Sequence, residues 1–331
     1  MKKIHLISRL YLLLFLLFSC SKNKVDAHEK EIRKKAVEKG FHIVGYMFSS
    51  GNLDIESAKL NFDKITHLNV AFINPEANGA FAPVTGLTEA VKRAHDNGVK
   101  VYSSFAGGNP PGHLKELLKA DKRGDLVNAL VNLTTTYNLD GIDVDLEGDY
   151  IDDNYEPFIT ELHAALEQKG KEITAAVATW NGNTISDKAL SLFDMVHIMS
   201  YDQTGPWNLE RPGPHSTYEA AVADFTYWNV TRSVPASKLT LGVPFYGYGF
   251  GNDIRSDMSF GDIVSTYPNS ENTDSVTVSE KGVIYYNGIP TIKRKVELAI
   301  DKKAAGIMIW QLLGDATEDK SLLSVINNTI P

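Results

Sequence analysis

From Phe41 onward the chain alternates short β-branched, apolar runs with segments whose apolar residues recur at helical spacing. Eight runs stand out: His42 to Tyr46, His67 to Phe72, Val101 to Phe105, Gly141 to Leu146, Ile173 to Ala178, Met195 to Ser200, Leu239 to Pro244 and Gly306 to Trp310. Most are nearly continuous apolar stretches, the pattern of strands covered on both faces. Amphipathic segments at Leu87 to Asn97, Lys115 to Ala120, Tyr155 to Gln168 and Tyr218 to Val230 lie between them. A last helix is expected over Ile292 to Lys303, with Val296, Leu298, Ala299 and Ile300 along it. The alternation predicts an α/β fold, and eight strand-helix units in about 290 residues match a (β/α)8 TIM barrel. A doubly wound open sheet would need a glycine-rich loop after its first strand, and Gly45-Tyr46-Met47-Phe48 is not one.

One connection breaks the rhythm. About sixty residues separate Pro244 from Gly306, and within them Val276 to Val278 and Gly282 to Tyr286 read as a small hairpin inserted between strands seven and eight of the barrel. No internal repeat and no Pro- or Ser-rich linker interrupts the rest. Residues 41–331 therefore read as one catalytic domain.

Composition narrows the class. With 43% hydrophobic residues in 331, the chain has material for a large core and does not read as disordered. A single cysteine excludes an internal disulfide framework and a Cys-based zinc site. The net charge of −8 speaks against nucleic acid as the main partner and favours a neutral one.

The N-terminus has its own pattern. Lys2, Lys3 and Arg9 precede the apolar run Leu10 to Phe18, which is too short for a membrane span and reads as a secretory signal over residues 1–19. Leu17-Phe18-Ser19-Cys20 resembles the bacterial lipobox, which makes Cys20 the expected lipidation site and residues 20–40 a polar tether. Phe18 departs from the small residue usual there. Removing residues 1–19 takes away three positive charges and no negative ones, leaving an acidic, exported chain of −11. Contact with a membrane is expected through the lipid anchor only, on the periplasmic side or at the cell surface.

The densest chemistry is Asp140-Gly141-Ile142-Asp143-Val144-Asp145-Leu146-Glu147. Alternation along a strand points Asp143, Asp145 and Glu147 one way and Ile142, Val144 and Leu146 the other. In a barrel the apolar set meets the helices, so the carboxylates climb the interior toward the C-terminal mouth, where barrel enzymes keep their sites. Stacking three acids at spacings of roughly 7 Å inside an apolar strand costs several kcal/mol unless a metal, hydrogen bonding or a shared proton relieves it.

A magnesium, calcium or manganese site is one way to relieve it. The neighbouring strands end in Ser104-Phe105-Ala106-Gly107-Gly108 and Thr179-Trp180-Asn181, which supply no carboxylate, and no HExxH pair occurs. Proton sharing is the other way, and it raises the pKa of the terminal Glu147 into the range of a general acid. Acids on one strand approach a substrate from one side, so they do not serve easily as acid and nucleophile together. In a glycosidase that geometry suits an N-acetyl group of the substrate as the nucleophile.

These residues resemble a family. Asp140 to Glu147 is similar to the DxxDxDxE signature of family 18 glycoside hydrolases, the chitinases and their relatives. Met199-Ser200-Tyr201-Asp202 with Gly205-Pro206-Trp207 resembles the segment at the end of the family's sixth strand, and Trp310 resembles the tryptophan at the end of its eighth. The resemblance runs from about Phe41 to Leu313. It implies Glu147 as acid/base, Asp145 as the group that orients the acetamide and stabilises an oxazolinium, and Asp143 as holder of a shared proton or of the charge state of Asp145. Tyr201 would donate to the acetamido carbonyl, Asp202 would contact the distorted sugar, and Trp310 would floor its subsite. Tyr46 and Phe72 are placed as walls of the acetamido pocket. Gly108, Met199, Trp207 and Tyr246, at the mouths of strands three, six and seven, complete the expected substrate-binding set, and Trp180 sits at the mouth of strand five. His197, inside an apolar strand, reads as a satisfied core histidine.

Two departures carry weight. Phe105 stands where the family often has serine, with Ser104 one residue earlier, and Tyr248 stands where many chitinases have arginine. The insertion is also shorter than the α+β unit that walls a deep tunnel, which predicts a shallow, open cleft. The expected activity is retaining, substrate-assisted hydrolysis of β-1,4 bonds in chitin or another N-acetylglucosamine-containing oligosaccharide, by a monomer without cofactor or metal. The alternatives are an endo-β-N-acetylglucosaminidase acting on N-glycans and a non-catalytic sugar-binding lipoprotein.

Overall fold

A computed structural model describes residues 40–331 except Ser50 and Ser279. The signal segment, Cys20 and the tether up to residue 39 lie outside the described residues. The barrel opens with β1 (His42–Phe48), β2 (His67–Ala71), β3 (Lys100–Ala106), β4 (Gly141–Asp145), β5 (Glu172–Val177), β6 (Met195–Ile198) and β7 (Leu239–Pro244). An insertion then supplies β8 (Tyr246–Gly251), β9 (Asp257–Ser259), β10 (Ser275–Val278) and β11 (Gly282–Tyr285), before β12 (Gly306–Trp310) returns to the barrel. The closed order is β1-β12-β7-β6-β5-β4-β3-β2, with every neighbouring pair parallel.

Alternation divides the core into two layers. Ile142, Val144 and Leu146 join the large cluster between strands and helices, while Val44, Tyr46, Ala71, Met195 and Met308 fill the barrel interior. The odd-numbered acids of β4 are thereby turned inward. Glycine is required where the interior is tightest. At Gly242 of β7 a Cβ would fall 2.2 Å from the Ile198 carbonyl oxygen and 3.1 Å from the Tyr201 ring, so the bare backbone makes room for Tyr201. At Gly107, with φ of 86°, it would fall 2.5 Å from the Phe72 ring.

The structure revises two expectations. Of the segment Lys115 to Ala120, only part belongs to the single helical turn Leu114–Leu117, and the helix that crosses from β3 to β4 is Arg123–Tyr137. Its C-terminal Thr134-Thr135-Thr136 run weakens the local helical signal, yet Leu126, Val127, Leu130, Val131 and Leu133 bury a full face. The last barrel helix begins at Ile289, three residues early, because Pro290 is compatible with a first turn, where no N–H is needed.

The insertion is also larger in architecture than a hairpin. The hairpin β10–β11 pairs through β11 with β8, and β8 pairs with β9, giving an antiparallel sheet ordered β10-β11-β8-β9. The helix Phe260–Thr266 packs its Phe260, Ile263 and Val264 into the core. This unit is a compact α+β wall beside the barrel mouth. Among the described residues no helix is long and apolar enough to cross a membrane.

Candidate active site

The inward face of β4 carries Asp143 and Asp145, and Glu147 stands two residues past the end of the strand. Asp143 is fully buried and accepts hydrogen bonds at both oxygens. Tyr46 Oη and Ser104 Oγ donate to Oδ2 at 2.7 and 2.8 Å, and Thr174 Oγ1 donates to Oδ1 at 2.6 Å. These hydroxyls come from β1, β3 and β5. The β3–β4 register sets Ser104 opposite Asp143, and the β4–β5 register sets Thr174 opposite it on the other side. Ser104, one residue before the position at which the family often has serine, therefore reaches the carboxyl, and Phe105 points outward into the helix layer.

Asp145 is 4% exposed, and its Oδ1 has no hydrogen-bond partner among the described residues. Burial, then the charges of Glu147 and Asp143, push its carboxyl well above the usual carboxylate range. Burial and the charge of Asp202 push Glu147 up to about 7. Asp145 and Glu147 therefore retain protons near neutral pH, with like charge and desolvation acting in the same direction.

A cavity of about 140 Å³ lies above the ladder. It brings together Tyr46, Phe72, Gly108, Asp145, Glu147, Met199, Tyr201, Asp202 and Trp310 from the predicted set, along with Trp180, Ala176 and Ala178. Trp310 and Phe72 stack at 5.5 Å with 22° between their rings, and Phe48 lies 6.0 Å from each. The peptide bonds Ala71–Phe72 and Trp310–Gln311 are cis. Gly108 stands close enough to Glu147 that a Cβ there would sit 3.2 Å from Oε1. Tyr46 is 1% exposed and shares its hydroxyl with Asp143, so it serves the ladder more than the cavity wall.

Tyr201 faces the ladder, and burial followed by the charges of Asp145, Asp202, Glu147 and Asp143 keeps its phenol protonated well above its ordinary range. It is a donor by constraint. Asp202, with φ of 60°, accepts from Tyr246 Oη at 2.5 Å and Tyr248 Oη at 3.0 Å. Tyr248 thus reaches the same carboxylate as Tyr246. Its ring also meets Trp207 edge-on at 5.4 Å.

Trp207 does not line the acid cavity. It belongs to a wider recess of about 580 Å³, shared with Phe48, Tyr246, Tyr248, Arg255 and Asp257, that meets the first cavity at Asp202 and Trp310. The insertion builds one side of this recess, so the mouth is deeper there than a hairpin implies. His197 is only half satisfied: Nδ1 lies 2.8 Å from Thr240 Oγ1, while Nε2 has no hydrogen-bond partner among the described residues and stands 3.6 Å from Asp143 Oδ1. Among the described residues no group of three His, Cys, Asp or Glu side chains is arranged to hold a metal ion. Sequence reasoning passed over Thr174, Phe48 and His215. The first two had a signal, an inward hydroxyl beside β4 and an aromatic ring at the end of a strand.

A parallel barrel with an acid ladder and an aromatic floor at its mouth defines a glycosidase-type barrel. The chain belongs to glycosyl hydrolase family 18, whose model matches residues 42–315. A chitinase from the chitin utilization locus of Flavobacterium johnsoniae superposes with a TM-score of 0.80 at 34% identity, covering 88% of this chain and 94% of that one. A probable chitinase of Drosophila melanogaster is 26% identical over 71% of this chain and 59% of its own length. A chitinase-like effector of Moniliophthora roreri is 32% identical over 60% of this chain and 57% of its own. The chain thus spans under two thirds of the length of these two curated relatives.

Proposed function

We propose that this protein is a chitinase that hydrolyses β-1,4 bonds next to N-acetylglucosamine with retention of configuration. The carrying observation is the convergence of Asp145, Glu147 and Tyr201 on one cavity whose floor is Trp310. Glu147, whose carboxyl is held up to about 7, gives its proton to the glycosidic oxygen as the bond to the anomeric carbon breaks. The acetamido carbonyl oxygen of the sugar in the cavity attacks that carbon from the other face, forming an oxazolinium. Tyr201 donates to this oxygen, and Asp145, once its proton has passed to Asp143, accepts from the acetamido N–H and as a carboxylate offsets the positive charge. Glu147, now a carboxylate, takes a proton from water, and the resulting attack reopens the ring with the original configuration. Asp143, held in place by its three hydroxyl partners, is the group that takes up the Asp145 proton.

Turnover of a chromogenic chitobioside tests this reading. Glu147→Gln should lower kcat by at least about 10²-fold, and a rate equal to wild type would sink it. The second reading is a non-catalytic, sugar-binding protein. Binding of chitin oligomers by the wild type without any product would select that reading instead. Cys20, which follows the short apolar run Leu10 to Phe18 and Ser19, would anchor the exported chain through lipid. Cys20→Ala should then move the protein from the membrane fraction to the soluble one.

A further inference from the structure

Tyr201 is held weakly by its own side chain. Its hydroxyl has one hydrogen-bond partner among the described residues, the poor acceptor Met308 Sδ at 3.7 Å. Its aim therefore depends on the backbone at the end of β6, and that backbone is held from behind. The Ser200 carbonyl, which shares a peptide plane with the Tyr201 nitrogen, accepts from Ser216 Oγ at 2.6 Å. Ser200 Oγ in turn donates to Asp224 Oδ2 at 2.6 Å. Ser216 is held from the far side by Lys295, on the helix Ile289–Asp301. Lys295 Nζ donates to Ser216 Oγ at 2.6 Å, to the Ser216 carbonyl at 2.9 Å and to Asn287 Oδ1 at 2.7 Å. Asn287 Nδ2 closes the ring by donating to the same Ser216 carbonyl at 2.7 Å.

Lys295, Ser216 and Ser200 are each 0% exposed. All three acceptors around the ammonium are neutral oxygens, so the cation is desolvated without a directly bonded counter-ion, an arrangement that ordinary core packing avoids. Burial lowers its pKa to about 7, against the opposing pull of Asp274, Asp224 and Glu219. An apolar side chain would fill the space at less cost. What it would not supply is two donors aimed at the Ser216 strap and a third at Asn287. That strap also carries His215, whose Nδ1 accepts from the Asp202 N–H at 3.4 Å and whose ring lies 4.9 Å from that of Tyr246.

From this geometry we infer that Lys295 is a positioning residue, which acts through Ser216 and the Ser200 carbonyl to aim the Tyr201 hydroxyl into the cavity. The inference rests on the catalytic role proposed above for Tyr201. Lys295→Met keeps the length and removes the donors, and it should lower kcat on chitin oligomers by about 10- to 100-fold with KM little changed. Ser216→Ala, which leaves the lysine in place, should lower kcat in the same direction, and it carries the test if the lysine variant does not fold. The Lys295→Met/Tyr201→Phe double variant should be no slower than Tyr201→Phe alone, since both act on one hydroxyl. Wild-type kcat in Lys295→Met or Ser216→Ala, or losses that multiply in the double variant, would overturn the inference. Hydrogen exchange gives a readout independent of turnover: residues 199–217 should exchange faster in Lys295→Met while β4 does not change. If the wild type cleaves no chitin oligomer, the functional reading fails and exchange alone decides the latch, with an unchanged 199–217 segment overturning it.

Discussion

Ser104 and Asp143 stand opposite each other in the β3–β4 register, joined by a 2.8 Å hydrogen bond from Ser104 Oγ to Asp143 Oδ2. With Tyr46 and Thr174, Ser104 gives a fully buried carboxyl three donors from three different strands. The arrangement holds Asp143 below Asp145, where, after burial and Glu147, it contributes to raising the Asp145 pKa. The three strands thus tune one acid through another.

Removing a donor from this set leaves part of a buried carboxyl unpartnered. Ser104→Ala and Thr174→Val should each destabilise the fold by about 1–3 kcal/mol, read from the midpoint of chemical unfolding. Each should also lower kcat less than Asp143→Asn does, because one donor is lost and not the charge. A Ser104→Ala enzyme with wild-type stability and rate would remove the hydroxyl set from the mechanism.

The pH dependence follows from Glu147. Burial, then Asp202, raise its pKa to about 7 from an ordinary value of 4.5. In the proposed mechanism its protonated form is the acid, so kcat/KM of the free enzyme should fall as pH rises through about 7. Asp202→Asn removes the neighbouring negative charge, eases ionisation of Glu147 and should move that limb to lower pH. A limb that stays in place or moves upward would show that Asp202 does not act on Glu147.

The same shift is a statement about stability. A carboxyl whose pKa is raised on folding binds its proton more tightly in the folded chain. The contribution is full below the unfolded value of 4.5 and is lost as pH rises through about 7. It amounts to about 3 kcal/mol. Glu147→Gln is neutral throughout, so relative to wild type it should gain stability between about pH 5 and pH 8. Unfolding midpoints at the two ends of that range measure it, and an equal difference at both would contradict the burial of Glu147.

Much of this site was legible in the sequence because it depends on short-range alternation. The period of two on β4 put Asp143, Asp145 and Glu147 on one face, and the apolar partners Ile142, Val144 and Leu146 on the helix side. The strand runs were legible for the same reason. What depends on register was not. Thr174 offers a hydroxyl on the strand beside β4, but nothing within Ile173 to Ala178 says that it stands level with Asp143, and nothing near Phe105 says that Ser104, one residue earlier, is level with it on the other side. Long-range assembly was equally hidden: β8 pairs with both β9 and β11, across intervals that a local pattern reads as loop with one hairpin. His197 was read as a satisfied core residue, and only the assembled barrel shows Nε2 without a hydrogen-bond partner among the described residues, 3.6 Å from Asp143.

The two tryptophans at the rim should separate by substrate length. Trp180 is 72% exposed beside the acid cavity, and Trp207 is 64% exposed in the neighbouring recess, so each offers a free ring face to a sugar beyond the one on Trp310. An aromatic face against the C–H surface of a pyranose has much the same value at either site, about 1–2 kcal/mol, or roughly 10-fold in affinity. Trp207→Ala should therefore raise KM for longer chitin oligomers by about that factor while leaving a chromogenic dimer unchanged, because only a longer chain extends past Asp202 into the recess. Trp180→Ala, next to Gly148 and Glu147, should raise KM for any substrate that places a sugar on that side of the scissile bond. If Trp207→Ala affects dimer and longer oligomers equally, the recess is not a sugar track and Trp207 acts only by bracing Tyr248, which it meets edge-on at 5.4 Å.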